Sequence, residues 1–375
     1  MSQNKLLFTP GPLTTSETVK KSMLRDLGSR DTEFLSVVSH VRRRLLELGH
    51  VAKGSYEAVL MQGSGTFAVE SVLSSIIPRS GKLLVAINGS YGHRMAKIAK
   101  VLGISCETIV FDEATPVRAE PVRAALVRDP GITHVGTIHC ETSTGLLNPV
   151  AELGATVTGL GRTFIVDAMS SFGGMAIDLV ADKIDFLISS ANKCIQGVPG
   201  FAFVLARRDL LLAAEGCARS LSLDLWAQWK GFENDGQFRF TPPTHALLAF
   251  TQALKELEEE GGVEARAARY SANRRALIDG MTALGFDAYL APQHQSHIIT
   301  SFRFPAHRRF DFSAFYDRLS ELGFVIYPGK VSNADCFRIG TIGHIFPQDI
   351  RALIAAIRRV LAEMNVDSAH AVAYA

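Results

Sequence analysis

Lys193 and Asp167 are the two residues whose type and position ask for chemistry. Each follows a short apolar run, at 186–189 and 163–166, that reads as a buried strand. A lysine at such a place is costly unless it is neutral or used covalently. A carboxylate there needs a charge or hydrogen-bond donors facing it. Taken singly, each has a plainer reading, as a solvated loop lysine and a helix-capping aspartate. Their surroundings weigh against it. Lys193 sits after the small residues Ser189-Ser190-Ala191-Asn192 and before the turn Gln196-Gly197-Val198-Pro199-Gly200. Upstream, Gly63-Ser64-Gly65-Thr66 lies between a strand and a helix, where glycines admit an anion and the helix start offers free N–H groups.

Pyridoxal 5'-phosphate (PLP) needs this set of parts: an amine for a Schiff base, an acid at the pyridine nitrogen, a phosphate cradle and a flat group over the ring. A carboxylate about 4 Å from a pyridinium is worth about 4 kcal/mol at an effective dielectric of about 20. Asp167 can supply that charge and Lys193 the amine. Tyr91, in Asn88-Gly89-Ser90-Tyr91-Gly92, can stack on the ring. Thr142 can hold the ring hydroxyl. The glycine-rich turn is open to a second reading, because Gly63, Gly65 and Ala68 also fit the loose dinucleotide pattern G-x-G-x-x-A. The next apolar run, however, ends in Asn88 and not in the acid that would hold a ribose. No Gly-Lys-Ser/Thr follows, so a Walker loop is excluded.

The elements that must position these residues are legible as alternation. Apolar runs at 58–61, 83–87, 108–111, 134–138, 163–166, 186–189 and 201–205 are separated by stretches such as 66–77 and 93–102 with helical spacing. Runs apolar throughout indicate strands covered on both faces, hence an α/β domain with a mostly parallel sheet. Ligands of such sheets sit at the carboxyl ends of the strands, where the polar residues above lie. The last third reads differently: a long helix at 247–260 ended by Gly261-Gly262, strands at 297–304, 324–327 and 336–339, and helices at 313–322 and 347–364. The expected organisation is an N-terminal segment 1–15 reaching the active site, a large domain 16–245, a small α+β domain 246–365 and a disordered tail 366–375.

Bulk properties narrow the class. The 375 residues, 47% hydrophobic and 20% charged, describe a globular chain long enough for two cores. A net charge of +2 gives no reason to expect nucleic acid. No apolar run has the length of a membrane span, and no leader pattern opens the chain. Five scattered cysteines without a C-x-x-C favour reduced thiols in a cytoplasm over disulfides or zinc.

The run Ser189-Ser190-Ala191-Asn192-Lys193-Cys194-Ile195-Gln196-Gly197-Val198-Pro199-Gly200 resembles the PLP-lysine segment of class V aminotransferases. More narrowly, it resembles the branch acting on 2-aminoethylphosphonate and pyruvate. Four further segments agree: Phe8-Thr9-Pro10-Gly11-Pro12-Leu13-Thr14, His139-Cys140-Glu141-Thr142-Ser143-Thr144-Gly145, Asp167-Ala168-Met169-Ser170-Ser171-Phe172-Gly173-Gly174 and Phe238-Arg239-Phe240-Thr241-Pro242-Pro243-Thr244-His245. The likeness runs from about residue 5 to 364. It implies a fold-type-I homodimer with shared active sites. In it Lys193 holds PLP and moves the proton, and Asp167 pairs with the pyridine nitrogen. Ser64, Gly65 and Thr66 bind the phosphate, with Ser190 and with Thr241 from the neighbouring subunit. Arg338 grips the substrate carboxylate, although its position alone would equally suit a surface ion pair. The stretch Leu27-Gly28-Ser29-Arg30-Asp31 departs from the phosphonate branch and is nearer to a form seen in alanine–glyoxylate enzymes. An alanine or serine aminotransferase using glyoxylate or pyruvate is therefore the alternative. Arg30 is read as a helix-start residue, Cys336 as a packed thiol, Cys194 as pointing away from Lys193, and His139 as structural.

Overall fold

The computed structural model describes residues 4–331 and 333–366. Seven strands form the central sheet: β1 (Tyr56–Gln62), β2 (Lys82–Ile87), β3 (Ser105–Val110), β4 (Ile132–Ile138), β5 (Thr163–Asp167), β6 (Phe186–Ser190) and β7 (Phe201–Arg207). Their order is β1-β7-β6-β5-β4-β2-β3, parallel except for β7, which runs antiparallel to both neighbours. Helices Gly65–Ile76, Ser90–Val101, Ala119–Arg128 and Val150–Gly159 make the crossovers that parallel pairing demands. Leu83, Val85, Phe164, Ile165, Leu187 and Ile188 are fully buried, so these runs are apolar because both faces are covered. Edge strand β3 is the exception, with Val110 60% exposed. After β3 the chain returns to the other side of β2. The carboxyl ends of β2 and β4 therefore flank a point where strand order reverses, a ready crevice for a ligand.

A second core surrounds a three-stranded antiparallel sheet of β8 (Ile299–Arg303), β9 (Tyr327–Pro328) and β10 (Cys336–Gly340), with β10 central. Helices Gly262–Ala283, Phe312–Glu321 and Pro347–Glu363 contribute to this core, along with Phe302, Phe315 and Phe337. The run expected as one strand at 324–327 is split. Phe324–Val325 pairs in parallel with Leu6–Leu7, while Tyr327–Pro328 pairs with β10. Phe8 then enters the second core, which ties the chain start to this sheet. A third cluster, including Leu13, Cys140, Cys194, Tyr270 and Ile299, sits where segments of both sheets meet. The expected tail lies outside the described residues except for Val366, which is buried and donates its N–H to the Leu361 carbonyl.

Candidate active site

The carboxyl ends of β4, β5 and β6, with the starts of helices Gly65–Ile76 and Ser90–Val101, enclose a cavity of about 240 Å³. Lys193 stands in the turn after β6, part-buried, and its Nζ donates to the Pro10 carbonyl at 2.8 Å. Burial holds its amine below the usual lysine range, only partly opposed by Asp167. Gly11 makes this approach possible. Its φ is +122°, and a Cβ there would stand 2.6 Å from Nζ.

Asp167 ends β5 and is buried, with Oδ1 accepting from Met169 N–H at 2.9 Å. Burial pushes its carboxyl up to about 6; the Met169 N–H pulls down, and the nearby Glu141 charge pushes up. Ser64 is the N-cap of helix Gly65–Ile76, and its side chain makes no capping bond. Its hydroxyl and the first helical N–H groups thus stand at the cavity wall with Gly65 and Thr66. A Cβ on Gly65 would collide with Met169 Sδ, another cavity residue. Ser190 closes β6, and its Oγ bonds Asn192 Oδ1 at 3.1 Å.

Tyr91 lies in the first turn of helix Ser90–Val101 and lines the cavity, as does Thr142. Its hydroxyl interacts with Thr142 and with the Arg338 guanidinium. Arg338 is in the middle of β10 and buried. Its Nη1 donates to the Thr142 carbonyl at 2.8 Å and its Nε to the Pro328 carbonyl at 2.9 Å. The surface-pair alternative for Arg338 is thereby removed. Arg338 stands behind the cavity wall formed by Thr142 and Tyr91, and Thr241 lies away from the cavity of its own chain. Thr241 is exposed, and its carbonyl accepts from Gln62 Nε2 at 2.9 Å.

Sequence reasoning assigned no role to Arg94 or Glu141. Arg94 lines the cavity mouth, donates to Thr66 Oγ1 at 3.2 Å and lies 4.9 Å from the Tyr91 ring centroid. Its only signal was position, one helical turn beyond Tyr91. Glu141 is fully buried and accepts from Tyr91 N–H, Ser143 N–H and Ser143 Oγ, so it fixes the turns that carry Tyr91 and Thr142. The bland readings hold for their residues. His139 shares a hydrogen bond with Ser171 Oγ, and burial brings its ring down to about 4. Cys194 is buried, its thiol bonded to the Ser170 carbonyl and pushed up to about 12. Cys336 is buried in β10, and Arg30 is exposed just before helix Thr32–Leu48.

An enclosed amine, a buried acid across the cavity, an uncapped helix start and an aromatic ring form a donor set that fits PLP. The pattern of the family described as Aminotransferase class-V matches residues 15–323. The chain belongs to the class V aminotransferases. Membership removes the nucleotide-binding reading of the glycine-rich turn, and the cofactor of this class V aminotransferase is PLP. Among curated relatives, a 2-aminoethylphosphonate–pyruvate transaminase of Syntrophobacter fumaroxidans is 55% identical over 94% of this chain and 95% of its own. One of Vibrio vulnificus, with the same description, is 52% identical over 96% of this chain and 99% of its own. Solved structures share the fold. Ureidoglycine–glyoxylate aminotransferase of Bacillus subtilis superposes with a TM-score of 0.88 at 23% identity, covering 98% of both chains. Pyridoxamine–pyruvate aminotransferase of Mesorhizobium loti gives 0.87 at 24% identity, covering 98% of this chain and 95% of its own. Both confirm the α/β fold-type-I architecture.

Proposed function

We propose that this class V aminotransferase moves the amino group of 2-aminoethylphosphonate to pyruvate, giving phosphonoacetaldehyde and alanine. The observation that carries the reading is the pairing of Lys193 and Asp167 across one cavity, in a chain 52–55% identical over nearly its whole length to transaminases of that description. When bound, PLP supplies an electron sink that makes the carbon bearing the substrate nitrogen acidic.

The chain's own residues do the rest. Asp167 would hold the ring nitrogen of the cofactor and favour its protonated form. Ser64, Gly65, Thr66 and Ser190 anchor the phosphate, the first three at the positive end of a helix. Tyr91 and Thr142 would hold the ring of the cofactor. Lys193, favoured neutral by burial, would serve as the base that takes the proton from the substrate carbon. Arg338 binds the pyruvate carboxylate through its planar fork. Both substrates would use the one cavity in turn, so ping-pong kinetics are expected. The working form is a homodimer in which Thr241 of each copy completes the other's phosphate site. Its exposure outside its own cavity, with Phe240 44% and Phe67 50% exposed, supports this reading. The five unpaired cysteines are compatible with a cytoplasmic enzyme, and no described helix is long and apolar enough to cross a membrane.

A visible absorbance spectrum of the purified protein tests the whole scheme. The band of bound cofactor is expected to bleach with 2-aminoethylphosphonate and to return with pyruvate, and to be missing in Lys193→Ala. A band that ignores the phosphonate and bleaches only with alanine or serine would keep the cofactor and overturn the substrate.

A further inference from the structure

Four cations gather around Tyr91, and PLP engages only some of them. Lys193 serves the reactive carbon, and Arg94 reaches Thr66 at the phosphate end. Arg338 and Lys330 remain. Arg338 meets Thr142 and the Tyr91 hydroxyl. Lys330 holds its Nζ 4.2 Å from the Tyr91 ring centroid. Among the described residues no carboxylate forms an ion pair with Arg94, Lys330 or Arg338. The buried acids beside Tyr91 and Lys193 are Asp167 and Glu141, and Glu141 is already engaged by Tyr91 and Ser143. A site with more cations than acids attracts anions of matching charge.

The two substrates of the proposed reaction differ in that charge. Pyruvate offers a planar monoanion, which one arginine fork satisfies. A phosphonate offers three oxygens and, once its second proton is lost, carries two negative charges, as a phosphate monoester does. Arg338 has Nε and Nη1 already donating to Pro328 and Thr142, so few of its N–H groups remain for a second charge. The backbone at Lys330 is held from several sides. A Cβ on Gly329 would collide with the Cys336 carbonyl, so the chain passes close to β10 there. Glu113 accepts from Asn333 N–H and from the Tyr289 hydroxyl, both at 3.0 Å. Ser90 Oγ reaches the Lys330 carbonyl at 3.4 Å.

The geometry points to Lys330 as a specificity-determining residue: held over Tyr91, its ammonium is the second cation, beside Arg338, that a phosphonate dianion requires and a carboxylate does not. This rests on the 2-aminoethylphosphonate reading above. One enzyme thereby accepts two substrates of unequal charge at one anion site, with Arg338 serving both and Lys330 serving one.

The test compares half-reactions of wild type, Lys330→Gln and Lys330→Arg in the PLP-loaded form, with 2-aminoethylphosphonate and separately with L-alanine. Equilibrium inhibition constants for ethylphosphonate and propionate, which lack the amine and cannot react, are measured alongside. In Lys330→Gln, kcat/KM for the phosphonate should fall about thirtyfold, as for loss of a charged hydrogen bond, and about tenfold further than for alanine. The ethylphosphonate constant should rise in step, far more than that of propionate, and Lys330→Arg should recover most of both losses. The gap from wild type should narrow as pH falls and the phosphonate takes up its second proton. Equal losses for both amino donors, or an unmoved ethylphosphonate constant, would overturn the role of Lys330 and leave the proposed function standing. Wild-type protein inert to 2-aminoethylphosphonate but active with alanine would overturn both.

Discussion

Asp167 shows what it takes to keep a charge ready at the end of a buried strand. Its carboxyl rises from an ordinary 3.8 to about 6 in the folded chain, chiefly through burial. A folded pKa above the unfolded one contributes stability that is complete below the unfolded value and lost as pH rises through the folded value. Cofactor-free protein at pH 8 therefore carries an ionised Asp167 at a cost of ~3 kcal/mol, from about two pK units at 1.36 kcal/mol each. Asp167→Asn keeps an oxygen for the Met169 N–H and removes the charge. Denaturant titration of the two cofactor-free proteins should find the Asn variant more stable at pH 8 by a few kcal/mol, with the gap about halved at pH 5. A gap that does not change with pH would refute the linkage. Lys193, Asp167, Tyr91 and Thr142 were legible in the sequence because polar residues directly after apolar runs must lie at strand ends. Arg94 and Lys330 were not, because a cation's value here depends on which ring it meets across the fold, and spacing along the chain carries no such information.

At the scale of elements, the site depends on a segment that belongs to neither sheet's regular strands. Residues 8–13 run from Phe8 in the second core, past Lys193, to Leu13 in the cluster between the sheets. Gly11 is the point of closest approach. Alanine there would carry the strain of a left-handed φ and would also press on Lys193 Nζ at 2.6 Å, its Cδ at 2.8 Å and the Asn192 carbonyl at 2.9 Å. Gly54 separates the two effects, since its φ is +100° and a Cβ there meets nothing within 4 Å. Both Gly11→Ala and Gly54→Ala should lose roughly 1–3 kcal/mol of stability from backbone strain. Only Gly11→Ala should lose cofactor, read as visible absorbance per chain after gel filtration. Retained cofactor in Gly11→Ala would show that the lysine tolerates displacement. The long helix Gly262–Ala283 explains where pattern reading ran out. Its buried face is Arg266, Tyr270, Asn273, Leu277 and Met281, so the helical period is present but half of it is written in polar residues. The seven strands of the large sheet were legible for the opposite reason, since burial on both faces leaves little but Val, Ile, Leu, Ala and Phe. Edge strand β3, exposed along much of its length, gave the weakest signal of the seven.

Across the whole molecule, that same polar helix face joins the Lys193 turn to the second sheet. Arg266 is 1% exposed. Its Nη1 donates to the Cys194 carbonyl at 2.7 Å, one residue after Lys193, and its Nε pairs with Glu260 at 2.5 Å. Tyr270 donates to the same carbonyl at 3.1 Å, and Gln196 bonds both Tyr270 and the Gly343 carbonyl. Arg269 reaches the Gly343 and Ile345 carbonyls, just beyond β10, the strand that carries Arg338. The Lys193 amine and Arg338 thus belong to two sheets bridged by one buried hydrogen-bond network. Networks of this kind are costly to interrupt, because each lost partner leaves another polar group buried and unpaired. Arg266→Met conserves much of the volume but removes the donor to Cys194 and leaves Glu260 with Arg269 alone. Because Glu260 keeps Arg269 and the Cys194 carbonyl keeps Tyr270, the loss should be that of a charged hydrogen bond, about 1.5–3 kcal/mol, and the melting temperature should fall measurably. The more telling readout is kinetic. If the network sets the distance between Lys193 and Arg338, the pyruvate half-reaction should slow by about a hundredfold under conditions where the variant is fully folded and loaded, as for a misplacement of about 1 Å. Cofactor absorbance should stay near that of wild type, because the anchors at Ser64, Thr66 and Asp167 lie on the large sheet and its first helix. A variant that loses stability but turns pyruvate over at the wild-type rate would mean that the two sheets are held in register by apolar packing at Leu13, Cys140 and Ile299, and that the polar face of the helix only fills space.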